Sequence, residues 1–149
     1  MRICIACSAG GHLSEARRME RVYAKYEHFY VTFSSAVASD LGRCRRVHVV
    51  PNLYRRHVLS WVRTALASAR VMWREKPDVV ITTGAGVVFF VCLFAKLRGA
   101  RIIFLESIAN TERPTATGRI LYPITDLFIV SWPALLAYYP KAKCICTLV

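Results

Sequence analysis

Short apolar runs alternate with mixed, helix-like stretches along the whole chain. Residues 2–7 (RICIAC), 29–33 (FYVTF), 46–50 (RVHVV), 78–82 (DVVIT), 101–105 (RIIFL) and 126–130 (DLFIV) are β-rich and end at glycine, proline or polar positions, so each predicts a buried strand. Residues 144–149 predict a last one. Helices are predicted over 13–26, 35–41, 54–75, 87–97 and 133–138, with a polar loop over 107–118 and a helical turn at 119–123. Gly42 and Gly99 stand where two of these helices stop. Such alternation predicts one α/β domain: a Rossmann-like parallel sheet with helices on both faces and right-handed connections.

The long helix over 54–75 carries Val58, Val62, Ala65, Ala69 and Met72 at alternating spacings, which predicts one apolar stripe. Arg56, Arg63, Arg70 and Arg74 fall roughly opposite. Two readings stay open: a surface helix packed on the sheet with a solvated basic back, or a helix lying near an anionic membrane with help from Trp61 and Trp73. The uncharged stretch 79–95 is shorter than the ~20 apolar residues a spanning helix needs. Thr82-Thr83-Gly84-Ala85-Gly86 also interrupts it, so it predicts strand, tight loop and helix rather than a membrane span.

Composition adds a direction. The chain has 149 residues, is 55% hydrophobic and carries a net charge of +12, which excludes a disordered chain and favours anionic partners. The arginines lie on one helix and at scattered positions, without an aromatic-and-basic recognition pattern, so no nucleic-acid partner is expected. Of the six cysteines, Cys4 and Cys7 sit three apart in a strand and point to opposite faces, so they predict inert core thiols rather than a metal pair. Cys144 and Cys146 are read the same way, and no metal site is expected. The opening run reads as a strand and not a secretory leader, and a reducing cytoplasm is expected.

Ligands of open α/β sheets bind beyond the carboxyl ends of the strands. Three loops leave those ends: Ser8-Ala9-Gly10-Gly11-His12, Thr83-Gly84-Ala85-Gly86, and the segment beginning at Glu106. Both glycine loops can bring backbone N–H groups and a helix N-terminus to a diphosphate, or can simply be tight turns. Neither matches the dinucleotide or Walker patterns. His12 follows two glycines at a helix start, placed to bond a substrate hydroxyl or phosphate. Glu106 ends an apolar strand, so its carboxylate is expected at the ligand edge, partly desolvated and raised in pKa. It reads equally as a general base or as an acceptor of backbone N–H groups.

The motifs CSAGGHLSEARRM, PDVVITTGAG, IIFLES, TGRILYPITDLFIVSWP and YYPKA, in this order over nearly the whole chain, resemble the PssD-type bacterial polysaccharide glycosyltransferase subunits. They are also similar to the eukaryotic Alg14 subunit of oligosaccharide synthesis and, more distantly, to the N-terminal domain of MurG. The resemblance implies the N-terminal, acceptor-binding half of a GT-B glycosyltransferase. It implies a donor-binding partner on a separate polypeptide, a UDP-sugar as co-substrate and no bound cofactor. The acceptor it implies is a saccharide on a polyprenyl diphosphate.

Carried over by position, Gly10, Gly11 and His12 match the first loop, with Ser8 before them, and Gly84 and Gly86 the second, so these loops are expected to face the acceptor diphosphate; Glu106 or His12 is expected to take the proton, and Asn110 matches a nearby Asn. The eukaryotic subunit has an N-terminal membrane anchor, and none is expected here. Contact with the cytoplasmic face of the inner membrane is therefore expected from a surface element carrying Arg56, Trp61, Arg63 and Arg70. The implied reaction is an inverting transfer in exopolysaccharide or capsule synthesis. The alternative is a non-catalytic membrane scaffold that recruits and activates a separate catalytic subunit.

Overall fold

A computed structural model describes residues 1–8, 10–33, 39, 46–54, 57–86 and 88–145. The helix expected over 35–41, Arg56, Cys44, Cys146 and the end of the last strand fall largely or wholly outside these residues. Seven parallel strands form one sheet in the order β3-β2-β1-β4-β5-β6-β7: β1 Arg2–Ala6, β2 Glu27–Thr32, β3 Val47–Val49, β4 Val79–Thr82, β5 Arg101–Leu105, β6 Leu127–Val130 and β7 Lys143–Cys144. The chain therefore has the Rossmann-like arrangement its pattern predicts. The order turns outward in both directions from β1 and β4, which pair with each other. That pair is the topological switch point, where open sheets of this kind leave a crevice. The two glycine loops are the segments that leave these two strands.

Alternation along β1 assigns its side chains to two cores. Ile3, Ile5 and Cys7 pack on one face with Ala16 and Tyr23, from α1 (Gly11–Arg18) and α2 (Glu20–Tyr23). Cys4 and Ala6 pack on the other with Met72, from α3 (Val58–Glu75), and with Val88, Val91, Cys92 and Ala95, from α4 (Val88–Leu97). The Cys4 and Cys7 thiols thus point apart, as the strand period requires. Burial pushes Cys7 and Cys92 up to about 12, so they stay protonated core groups. Among the described residues no group of side chains is arranged to hold a metal ion.

The elements depart furthest from the pattern in three places. The helix expected over 13–26 starts earlier, at Gly11, and breaks at Met19. The Ala16 carbonyl accepts both the Met19 N–H and the Tyr23 hydroxyl, which draws the chain into a second short helix. The loop expected over 107–118 ends sooner, because α5 (Ala116–Leu121) begins there, with the Thr115 hydroxyl accepting the Gly118 N–H as its N-cap.

The third difference is the buried face of α3, which starts at Val58 rather than 54. Of the predicted stripe only Met72 is fully buried, and Val58 is 79% and Val62 48% exposed. The helix instead buries Thr64, Ser68, Met72 and Glu75. Thr64 can be buried because its hydroxyl reaches the Ser60 and Pro51 carbonyls, and Glu75 because Arg46 and His48 meet its carboxylate at 2.9 and 2.8 Å. Thr64 and Glu75, each with partners, and the small Ser68 took the buried side and left the aliphatic residues to solvent. Among the described residues no helix is long and apolar enough to cross a membrane. The stretch 79–95 resolves into β4, the glycine turn and α4, as its interruption predicted.

Candidate functional site

The first loop is built for close approach at the start of α1. Ser8 is buried, and Gly10 takes φ 74° and ψ −135° as the N-cap, a conformation open to glycine. Gly10 has no side chain with which to cap α1, so it leaves the first-turn N–H groups to other partners. Among the described residues nothing lies within 4 Å of where a Gly10 or Gly11 side chain would begin, so they leave the space beyond this turn open.

The second loop meets the first. Thr83 Oγ1 donates to the His12 carbonyl at 3.0 Å, and Gly84 adopts φ 101°. A Cβ on Gly84 would lie 3.7 Å from His12 Cε1 and 3.6 Å from Phe104 Cζ, so the His12 ring rests against the bare glycine backbone. Ala85 follows at φ 87°, a left-handed position that costs a residue with a Cβ about 1–2 kcal/mol. Gly86 has an ordinary φ and needs no glycine for conformation. Its missing side chain instead borders an apolar groove of about 460 Å³ lined by Leu53, Trp61, Phe89, Ala116, Thr117 and Ile120.

Glu106 occupies the carboxyl end of β5, but its carboxylate is enclosed rather than presented to the ligand edge. The residue is 1% exposed; Oε2 accepts from Tyr139 Oη at 3.0 Å, and Oε1 has no hydrogen-bond partner among the described residues. Burial raises its pKa above the usual carboxylate range, opposed by the contacts from Thr115 and Tyr139. The enclosure depends on Gly118. A Cβ there would lie 2.7 Å from Tyr139 Oη and 2.9 Å from Thr115 Oγ1, and nearer still to Glu106 Oε2. The direction of the expected pKa shift is present; the expected exposure is not, because α5 begins two residues before Gly118 and lies over the carboxylate.

Sequence reasoning passed over Glu15. It is buried on α1, and its Oε1 accepts from Ser107 Oγ at 2.8 Å and from the Ile108 N–H at 3.0 Å. These bonds tie the His12 helix to the loop that leaves β5. The signal was the spacing Gly-Gly-His-x-x-Glu, which sets His12 and Glu15 on one helix face. Asn110 lies half-buried on the same loop, where its N–H donates to the Ser107 carbonyl at 3.0 Å. Thr115, Gly118 and Tyr139 were also missed as partners of Glu106, because they converge only through the fold.

Of the membrane-contact candidates, Arg63 and Arg70 lie on the exposed side of α3, Trp61 is 39% exposed nearer its buried side, and Arg56 lies outside the described residues. At about 100° per residue, Val58, Val62, Trp73, Leu66 and Leu59 form one exposed strip, and Arg70, Arg63 and Arg74 the strip beside it. The arginines therefore flank exposed apolar residues instead of opposing them. Trp61 and Trp73 extend the surface onto α4 through edge contacts with Phe90 and Phe94 at 6.2 and 5.8 Å.

Among solved structures, the chain resembles MurG from Acinetobacter baumannii, with a TM-score of 0.72 and 14% identity over 90% of this chain and 43% of that one. A UDP-N-acetylglucosamine 2-epimerase from Rickettsia bellii gives 0.73 and 16% over 94% of this chain and 41% of that one. The fold is thus one Rossmann-like half of a GT-B architecture, and the chain spans less than half the length of these proteins. In sequence, it is 28% identical to the human UDP-N-acetylglucosamine transferase subunit ALG14, over 95% of this chain and 80% of that protein. It is 35% identical to the Kluyveromyces lactis subunit of the same name, over 58% of this chain and 42% of that one. The family model described as oligosaccharide biosynthesis protein Alg14 like matches residues 3–148, and the chain belongs to that family.

Proposed function

We propose that this chain is the acceptor-side, membrane-contacting subunit of a two-component inverting glycosyltransferase. Its partner is a donor-binding GT-B half that holds a UDP-sugar. The acceptor is a saccharide on a polyprenyl diphosphate at the cytoplasmic face of the inner membrane, in exopolysaccharide or capsule synthesis. One observation carries the reading: His12 and two glycine turns meet at the switch point of the sheet, next to an apolar groove that is lined in part by Trp61 of an otherwise exposed apolar and basic helix. The relatives are named as a subunit of a transferase, which supports a partner chain.

In this reading the diphosphate lies at Ser8, Gly10, Gly11, Gly84 and Gly86, where first-turn N–H groups and a helix dipole favour an anion. Asn110 borders the acceptor sugar. The lipid chain leaves along the groove beside Trp61 toward Arg63 and Arg70, which meet anionic headgroups. Arg56 belongs to the same set by sequence alone. His12 takes the proton of the attacking hydroxyl, because its ring reaches the open cleft while Glu106 is covered. Glu106 shapes the wall. No metal or cofactor is invoked.

The test is reconstitution with the partner, a labelled UDP-sugar and a polyprenyl-diphosphate acceptor. His12→Ala should lower turnover by roughly 10²–10⁴-fold with partner binding intact, the range of a positioned acid–base group. The burial of Glu106 favours a second reading, in which the chain only recruits and anchors the partner. Full turnover in both His12→Ala and Glu106→Gln, with normal partner binding, would select that one.

A further inference from the structure

The environment of His12 holds an arrangement that the acceptor-site reading does not by itself require. The His12 Nδ1 atom is fully buried and has no hydrogen-bond partner, and so is Glu15 Oε2. The two lie 3.9 Å apart on adjacent turns of α1. Leaving a buried polar atom unpaired costs about 1–3 kcal/mol, and an approach of roughly 1 Å brings this pair to hydrogen-bonding distance. Among the described residues neither atom has another partner to turn to.

Glu15 is fixed from behind. Its side chain is 11% exposed, and both donors on Oε1, Ser107 Oγ and the Ile108 N–H, come from the far side of the sheet's central pair. They hold the carboxyl plane so that Oε2 faces His12. The histidine is fixed as well: Thr83 Oγ1 holds its carbonyl and the bare Gly84 backbone bounds the ring. With Nδ1 buried, the exposed part of the ring is the edge that carries Nε2.

We infer that Glu15 is a positioning residue that fixes His12 in the tautomer with its proton on Nδ1, so that unprotonated Nε2 faces the cleft. The inference rests on the proposed role of His12. In the transfer, Nε2 takes the proton of the acceptor hydroxyl as its oxygen bonds to the anomeric carbon. The bond from that carbon to the donor diphosphate breaks, and UDP leaves with the electron pair. The imidazolium that results stands beside the Glu15 carboxylate, which offsets its charge. A proton held on Nε2 would turn the acceptor-facing atom into a donor and block this step.

Two measurements separate the positioning claim from the functional one. Long-range ¹H–¹⁵N spectra of the full chain read the His12 tautomer without any sugar transfer. Wild type should show the Nδ1–H form, and Glu15→Gln and Glu15→Ala should shift the ring toward Nε2–H. Glu15→Gln keeps an acceptor for Ser107 and Ile108, so it should fold like wild type, and thermal melting checks this. In the reconstituted pair Glu15→Gln should lower kcat roughly tenfold or more, within the ~10²–10⁴ that acid–base groups supply, with the acceptor KM little changed; Glu15→Asp should recover part of the loss. A wild-type His12 already in the Nε2–H form, or a tautomer unmoved in both variants, overturns the inference even where His12→Ala abolishes turnover. A Glu15-dependent tautomer with full turnover in His12→Ala leaves the positioning geometry standing and overturns the catalytic role on which it rests.

Discussion

Replacing Gly118 with alanine tests the enclosure of Glu106 directly. The added methyl would meet Tyr139 Oη at 2.7 Å and Thr115 Oγ1 at 2.9 Å, and would press hardest on Glu106 Oε2. Tyr139 and Glu106 are each about 1% exposed, so neither can swing into solvent. Overpacking of this kind costs typically ~1–3 kcal/mol, and parting a buried tyrosine from its carboxylate adds about as much again. Alanine is favoured over glycine inside a helix by about 1 kcal/mol, which offsets part of the loss. The expected net destabilisation is about 2–4 kcal/mol, or a melting point lower by on the order of 10 °C for a domain of this size.

Urea unfolding followed by circular dichroism measures it, with Gly11→Ala as the control, because nothing lies within 4 Å of that position. Adding Tyr139→Phe to Gly118→Ala should cost less than the two changes separately, since one collision partner is gone. A Gly118→Ala variant as stable as wild type would refute the enclosure as described.

Three further outcomes follow from the same geometry. Tyr139→Phe alone should destabilise by about 1–3 kcal/mol in urea unfolding, because it removes a buried hydrogen bond to Glu106 Oε2. Glu106 has a raised pKa, so its neutral form favours the folded state: its contribution is complete below the ordinary carboxyl value near 4.5 and is lost as pH rises through the raised one. Between the ordinary value and the raised one, urea midpoints should therefore fall with rising pH more steeply in wild type than in Glu106→Gln, and parallel profiles would count against the shift. Arg63→Glu with Arg70→Glu should weaken flotation on anionic vesicles at least thirtyfold, taking about 1 kcal/mol for each arginine lost, and should leave binding to neutral vesicles little changed.

The strand pattern, the central glycine turns and the parallel sheet were legible because buried parallel strands are apolar on both faces and glycine punctuates them. The burial of α3 was not. Its apolar period pointed to Val58 and Val62, but Thr64, Ser68 and Glu75 won the buried face, and only tertiary contacts reveal that Pro51, Arg46 and His48 supply partners. Glu106 was placed on the right strand end, yet its enclosure depends on Thr115, Gly118 and Tyr139, which no local spacing relates to it. Glu15 was within reach of a helical-face argument from His12 and was missed because its other partners lie on β5's exit loop.

The bonds that fix His12 also set the order in which this protein can become competent. Thr83 reaches His12 across 71 residues, and Ser107 reaches Glu15 across 92. A nascent chain that has released only β1 and α1 holds the Gly-Gly-His segment with none of its supports. The segment is completed only after β4 pairs with β1 and the loop after β5 closes on α1, steps of high contact order that come late and slowly. Misfolding that spares the first half of the chain would still disable its opening motif, so the motif reports on the integrity of distant sequence rather than on its own.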